Sequence, residues 1–295
     1  GNPDEQPGPG PKYGVIDYVS IPTTGNASQF GDLTVPRSNA GAFSNQTRAV
    51  WVGGVIPGSP YRTEVMDYVT VANTGNATDF GNLTPAASSY VAGCSDGSQG
   101  DRGLSWGGTG PLRNDIKYST ISSTGNTTDF GDCLATTSQG CAYGDLTRGC
   151  YNGSDQGNNS NVIQYVTTAS TGNATDFGDA TVAKTMRAGT ADATRGVMSN
   201  GEGPSTVIDY VTIATTGNAS NFGSSTVPSN ARGGSNSDLR SVFGGGEDNS
   251  GNSGPPQTGY NVIDYITTQT TGNATDFGDL VIGRRQTPSG VSGTP

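Results

Sequence analysis

The chain of 295 residues contains no histidine. That removes Ser–His–Asp triads, Cys–His pairs, His-ligated zinc and the side chain that most often acts as a general base near neutral pH. Glutamate is scarce: Glu5, Glu64, Glu202 and Glu247 each stand alone, so the paired carboxylates of a glycosidase have no evident source. Charged residues make up 14 % and hydrophobic ones 31 %, a composition poor in the Leu, Ala, Glu and Lys of helical domains. No apolar run approaches the ~18–20 residues of a membrane span, so no membrane insertion is expected. Fifteen Lys and Arg against 25 Asp and Glu leave a net charge of −10, which repels phosphates and argues against a nucleic-acid partner. The first residue is Gly1, as expected either of upstream processing in a secreted protein or of an incompletely known sequence.

What the chain has is glycine, 47 residues, and a repeat. Six segments align: VIDYVSIPTTGNASQFGDL from Val15, VMDYVTVANTGNATDFGNL from Val65, IKYSTISSTGNTTDFGDCL from Ile116, VIQYVTTASTGNATDFGDA from Val162, VIDYVTIATTGNASNFGSS from Val207 and VIDYITTQTTGNATDFGDL from Val262. Each has a tyrosine (Tyr18, Tyr68, Tyr118, Tyr165, Tyr210, Tyr265) and a phenylalanine (Phe30, Phe80, Phe130, Phe177, Phe222, Phe277), the expected repeat core. The tyrosines are spaced by 50, 50, 47, 45 and 55 residues. Between the copies lies a second half-unit, TRAVWVGG, DRGLSWGG, TRGCYNG, TRGVMSNG and LRSVFGGG, built on Arg48, Arg102, Arg148, Arg195 and Arg240.

Inside a unit the pattern is β. Ile-Asp-Tyr-Val-Thr-Ile is β-branched and aromatic with apolar residues on both faces, Thr-Gly-Asn is a turn, and Asp-Phe-Gly-Asp-Leu and Arg-Xaa-Val-aromatic are further strands. Three or four strands per ~48 residues is one propeller blade. One such sheet cannot bury both faces alone, whereas neighbours around an axis can. The pattern predicts an all-β, six-bladed β-propeller over residues 15–285, with a Gly/Pro-rich extension over 1–14 and a tail over 286–295; the alternative is an open β-solenoid of six repeats.

The count of half-units is uneven, six Tyr–Phe halves against five arginine halves. A six-bladed ring would therefore have one blade short of a strand. Three explanations compete: the short blade is tolerated, a neighbouring molecule supplies the strand, or the sequence is incomplete. Strand supply from a neighbour would make a head-to-tail contact and hence a filament.

The Gly-Gly turn followed by a tyrosine strand and an aromatic strand resembles the Kelch blade, although the Phe lies 12 residues after the Tyr, farther than in Kelch repeats. The full unit, IDYVTI–TTGNATDFGDL–TRGVFGG, is more similar to Kelch-like repeats of virion and tail-fibre-type proteins of aquatic phages, over Val15 to Arg284. The resemblance implies a surface or appendage protein.

Candidate chemistry is limited. Asn-Xaa-Ser/Thr occurs in every unit, at Asn26, Asn76, Asn126, Asn173, Asn218 and Asn273, and also at Asn45, Asn82, Asn152 and Asn158. These are candidate N-glycosylation acceptors; the alternative is a turn asparagine copied six times. Asp-Phe-Gly-Asp suggests Ca²⁺, but only Asp129/Asp132, Asp176/Asp179 and Asp276/Asp279 keep both acids, so a turn role is the stronger expectation and no cofactor is expected. The five arginines are expected to pair with Asp17, Asp67, Asp209 and Asp264 between blades, with Lys117 and Gln164 breaking the pattern. Of Cys94, Cys133, Cys141 and Cys150, the first and third follow a glycine at apparently equivalent positions, and Cys133–Cys150 is the candidate within-blade disulfide of an extracellular protein.

These features point to a non-enzymatic structural subunit of an extracellular fibril or virion appendage, on a cell or virion surface, with copies of itself as partners and N-glycans attached. The alternative is a glycan- or receptor-binding adhesin, with specificity in unequal loops such as Gly244 to Tyr260.

Overall fold

The computed structural model describes residues 14–97, 99–155, 158–203, 205–247, 259–284 and 289–291. Most of the two expected tails therefore lies outside the described residues. All the regular elements described are β-strands. Strands β1 (Val15–Tyr18) and β2 (Ser28–Asp32) form a two-stranded antiparallel sheet. Strands β3 (Gly41–Ser44), β4 (Arg48–Val52), β5 (Val65–Thr70) and β6 (Thr78–Asn82) form the first full blade. The second holds β7 (Ala92–Ser95), β8 (Arg102–Trp106), β9 (Arg113–Thr120) and β10 (Thr128–Thr137). The third holds β11 (Cys141–Gly144), β12 (Arg148–Asp155), β13 (Asn158–Thr167) and β14 (Thr175–Asp179). The fourth holds β15 (Ala188–Ala191), β16 (Arg195–Ser199), β17 (Val207–Thr212) and β18 (Ser220–Ser224). The fifth holds β19 (Gly233–Asn236), β20 (Arg240–Gly244), β21 (Tyr260–Thr267) and β22 (Thr275–Arg284).

Each full blade is an antiparallel meander in chain order, and the first strands of successive blades lie side by side at the axis. The fold is a β-propeller of five four-stranded blades, with the β1–β2 sheet between the fifth blade and the first. The repeat predicts six blades; among the described residues the sheet of the first copy has only two paired strands. The expected shortfall of one strand is thus two in the regular pairing.

Neighbouring blades are joined by the repeat's own turn. In the sequence Thr-Gly-Asn-Ala, the glycine N–H donates to the Phe carbonyl of the preceding blade (Gly172 to Phe130, 2.8 Å) and the Ala N–H to the carbonyl two residues on (Ala174 to Asp132, 2.8 Å). The Asn173 Oδ1 accepts the Asp132 N–H at 3.0 Å. The same three bonds recur at six interfaces, including Gly25 and Ala27 on Phe277 and Asp279, with Asn26 Oδ1 on the Asp279 N–H. The last blade therefore meets the first sheet as every blade meets its neighbour, which closes the ring and excludes the open solenoid.

The glycine of Asp-Phe-Gly is required by this contact. Gly131 has φ +154°, and a Cβ there would fall within 2.5 Å of the Gly172 carbonyl. It sits at a register shift that lifts Phe130 out of the ladder and turns it inward. Each Phe then meets its Tyr edge to face, with ring centroids 5.8 to 6.1 Å apart in all six copies. The core is a series of such clusters between adjacent sheets, for example Leu104, Trp106, Ile116 and Phe130 of the second blade with Tyr151 and Val166 of the third.

Loss of one side-chain clasp should be milder than obstruction of the close approach. Asn173→Ala is expected to cost about 1 kcal/mol and Gly131→Ala about 2–4 kcal/mol. Thermal melts of the two variants check the order; equal melting temperatures would contradict the clasp geometry.

Candidate functional site

The five motif arginines do work between blades, but not on the aspartates. Arg48, Arg102, Arg148, Arg195 and Arg240 lie over the rings of Tyr68, Tyr118, Tyr165, Tyr210 and Tyr265 at 4.5 to 4.7 Å. Their Nη1 groups donate to carbonyls of the following sheet, those of Ile121, Thr168, Ile213, Thr268 and Ile21, at 2.5 to 3.1 Å. Each acceptor stands three residues after a repeat tyrosine.

The expected Arg–Asp pairing is corrected in its partners. Asp67, Asp209 and Asp264 bind Arg37, Arg187 and Arg232 at 2.7, 2.8 and 2.9 Å, with both side chains of each pair fully buried. Asp17 binds Arg284 at 3.0 Å and so ties the first sheet to the end of the fifth blade. Burial lowers the Arg37 pKa, and the Asp67 carboxylate works against that shift. The motif arginines cannot reach these aspartates because their guanidinium groups are held over the tyrosine rings. Arg37, Arg187 and Arg232 were not singled out by spacing, since Arg37 stands farther ahead of its innermost strand than the other two, which directly precede theirs. The available signal was a lone arginine in that linker wherever the unit also carries Ile-Asp-Tyr or Met-Asp-Tyr. In the units with Lys117 and Gln164, Lys117 instead binds Asp115 and Asp129, and Gln164 accepts the Leu134 N–H.

The candidate disulfide is not formed. Cys94, Cys133, Cys141 and Cys150 are free and buried. Cys133 lies in β10 of the second blade and Cys150 in β12 of the third, so the pair is not within one blade, and the two side chains belong to different core clusters. Nor are Cys94 and Cys141 equivalent: Cys94 pairs across with Leu104, Cys141 with Asn152, two positions further along the strand.

The sequons divide into two groups. Asn26, Asn76, Asn126, Asn173, Asn218 and Asn273 are exposed on the rim, with Oδ1 turned into the clasp. Asn158 is exposed and Asn82 half-buried. Asn45 and Asn152 are buried, and their Nδ2 atoms donate to Asp101 and to the Val162 carbonyl, so these two are not acceptors. The Asp-Phe-Gly-Asp acids serve the turn: the Asp132 and Asp179 N–H groups are the ones clasped, and Asp129 binds Lys117. Among the described residues no three His, Cys, Asp or Glu side chains come close enough to hold a metal ion.

A cavity of about 850 Å³ lies beside β1. One wall is Ala49, Trp51 and Val69 of the first blade; the other is Val242, Ile263 and Leu280 of the fifth. In every full blade the third strand pairs with an arginine strand on its inner side, as β5 does with β4 from Arg48–Thr70 to Val52–Met66. Among the described residues no strand pairs with the inner edge of β1. The cavity floor is Ser289–Val291: Ser289 Oγ donates to the Ala40 carbonyl, and Ser235 Oγ donates to that of Val291 at 2.9 Å. Gly290 thereby stands against Gly234 as Gly234 stands against Gly189, in the innermost position of a blade. Tyr18 is 46 % exposed and, unlike the other five repeat tyrosines, has no arginine over its ring among the described residues.

Burial raises the thiol of Cys94 to about 12 and that of Cys141 to about 11, and pushes Cys133 and Cys150 up as well. All four are expected to resist alkylation in the native protein and to react together on unfolding. Unfolded thiols ionise from about pH 9.0, whereas the buried ones stay protonated. Stability is therefore full below pH 9.0 and is expected to fall as pH rises towards 11 and 12, as denaturant melts across that range would show. Serine replacements that left the alkaline slope unchanged would assign it to other groups. No family model matches the sequence, and no curated protein matches it significantly.

Proposed function

We propose that the chain is a non-enzymatic structural subunit of an extracellular fibril or virion appendage. In this reading the ring is a six-bladed, Kelch-like propeller whose half-built blade takes a strand from a neighbouring subunit. The observation that carries it is the two-stranded β1–β2 sheet beside the 850 Å³ apolar cavity, in a ring whose other blades have four strands. A sheet edge flanked by apolar walls is a template for another strand, and natural proteins cover such edges. A contact between an open blade and a strand elsewhere on an identical subunit is heterologous. It propagates into a filament unless the rotation closes a ring.

Six exposed sequons on the rim, one per sheet, support an extracellular glycoprotein whose sugars coat the flank of each subunit and leave the faces for stacking. A second reading, a glycan- or receptor-binding module, is favoured by Tyr61, 53 % exposed on the loop between β4 and β5.

Sedimentation and negative-stain electron microscopy over a hundredfold range of concentration separate the two. The structural reading expects mass that grows with concentration and continuous filaments of ring-sized units. Single particles of about 29.9 kDa at every concentration would overturn it. Intact mass on the same sample is expected to exceed the polypeptide in hexose-sized steps.

A further inference from the structure

We propose that the open blade is selective for a strand of one chemistry, a further arginine half-unit of the pattern arginine–small–branched apolar–bulky, and that its arginine seats between the Tyr18 ring and the Val71 carbonyl. The inference rests on the reading of the open blade as an acceptor.

The ring defines what is unserved. Each of the five motif arginines covers the tyrosine of its own blade and donates to the carbonyl three residues past the tyrosine of the next sheet. The sixth such pair is Tyr18 and Val71. Both line the same cavity, Tyr18 on the β1 side and Val71 on the first-blade side. An arginine strand laid along β1 in the register of β4 on β5 would bring its guanidinium to both.

The next positions are fixed by packing. The residue after each arginine is Ala49, Gly103, Gly149, Gly196 or Ser241, because the preceding blade presses there; a Cβ on Gly103 would fall within 2.5 Å of the Phe43 ring. The residue after that packs onto the following blade's bulky side chain, as Leu104 does on Tyr151, Cys150 on Met198 and Val197 on Phe243. In the open blade the branched residue would meet Trp51, and the bulky one would meet Val242 beside Ile263 and Leu280.

All five arginine half-units already stand inside their own blades. The packing therefore calls for a further copy of the arginine half-unit as occupant, beyond the five already in place.

The test uses single subunits isolated at low concentration and a synthetic peptide copy of Thr194–Gly201. Binding is read by calorimetry and by the emission of Trp51, which lines the cavity. One peptide is expected to bind per subunit. Arg195→Ala and Val197→Asp in the peptide should each weaken binding about tenfold or more. Tyr18→Leu in the protein should weaken the native peptide about tenfold and leave the Arg195→Ala peptide unchanged. Absence of binding, or equal affinity of the native and Arg195→Ala peptides, overturns the proposal. Filaments that form at the usual rate with excess peptide would overturn it while leaving assembly standing. One-to-one arginine-dependent binding by a protein that never assembles would support the docking chemistry and sink the structural reading instead.

Discussion

The clasp between the Thr-Gly-Asn turn and the Phe-Gly-Asp strand of the preceding sheet is the contact on which the ring depends. Three hydrogen bonds cross each of six interfaces, and each net bond contributes about 1 kcal/mol. Their effect on geometry exceeds that on energy. The turn can approach only because the opposing residue is a glycine, at positive φ in five of the six copies, and the same bulge turns the phenylalanine into the core. One short motif thus sets the blade-to-blade distance and the position of the repeat phenylalanine in the core. It also explains how a chain with only 31 % hydrophobic residues builds a stable fold: the apolar clusters are small, and each is fenced by backbone bonds on its outer side.

Two kinds of arginine complete the interfaces. The motif arginines lie flat on tyrosine and donate to backbone carbonyls, so their planar guanidinium serves a ring and an acceptor at once. The linker arginines are buried against aspartate. Such pairs cost desolvation and are sustained by further bonds: Thr181 and Thr226 hydroxyls donate to Asp209 and Asp264 at 2.5 and 2.7 Å. At Asp17 the equivalent position is Val281, and the Asp17 Oδ1 has no hydrogen-bond partner. That oxygen lies in the sheet that lacks an arginine strand among the described residues, and buried polar atoms without a hydrogen-bond partner occur in the full blades too, such as Ser105 Oγ and Asn152 Oδ1. The two-stranded sheet and the cavity beside it set the β1–β2 region apart from an otherwise repetitive ring.

The sequence by itself determined the repeat, its β character, the Tyr–Phe core pair and the shortage of one arginine half-unit, because these depend on local pattern and on counting. The fate of the arginines, aspartates and cysteines was decided only by tertiary structure. Arg48 and Arg37 are eleven residues apart and equally able to meet Asp67 on spacing alone. The choice falls to Arg37 because Tyr68 and the Ile121 carbonyl hold Arg48 elsewhere. Cys133 and Cys150 looked like members of one unit because the repeat boundary in sequence is not the blade boundary in space: each blade takes its inner strands from the segment that follows the previous copy's outer strand. Likewise the Asn-Xaa-Ser/Thr pattern marks Asn45 and Asn152 as readily as Asn173, and burial alone separates them. Local sequence encodes what each strand presents; closure of the ring decides which neighbour receives it.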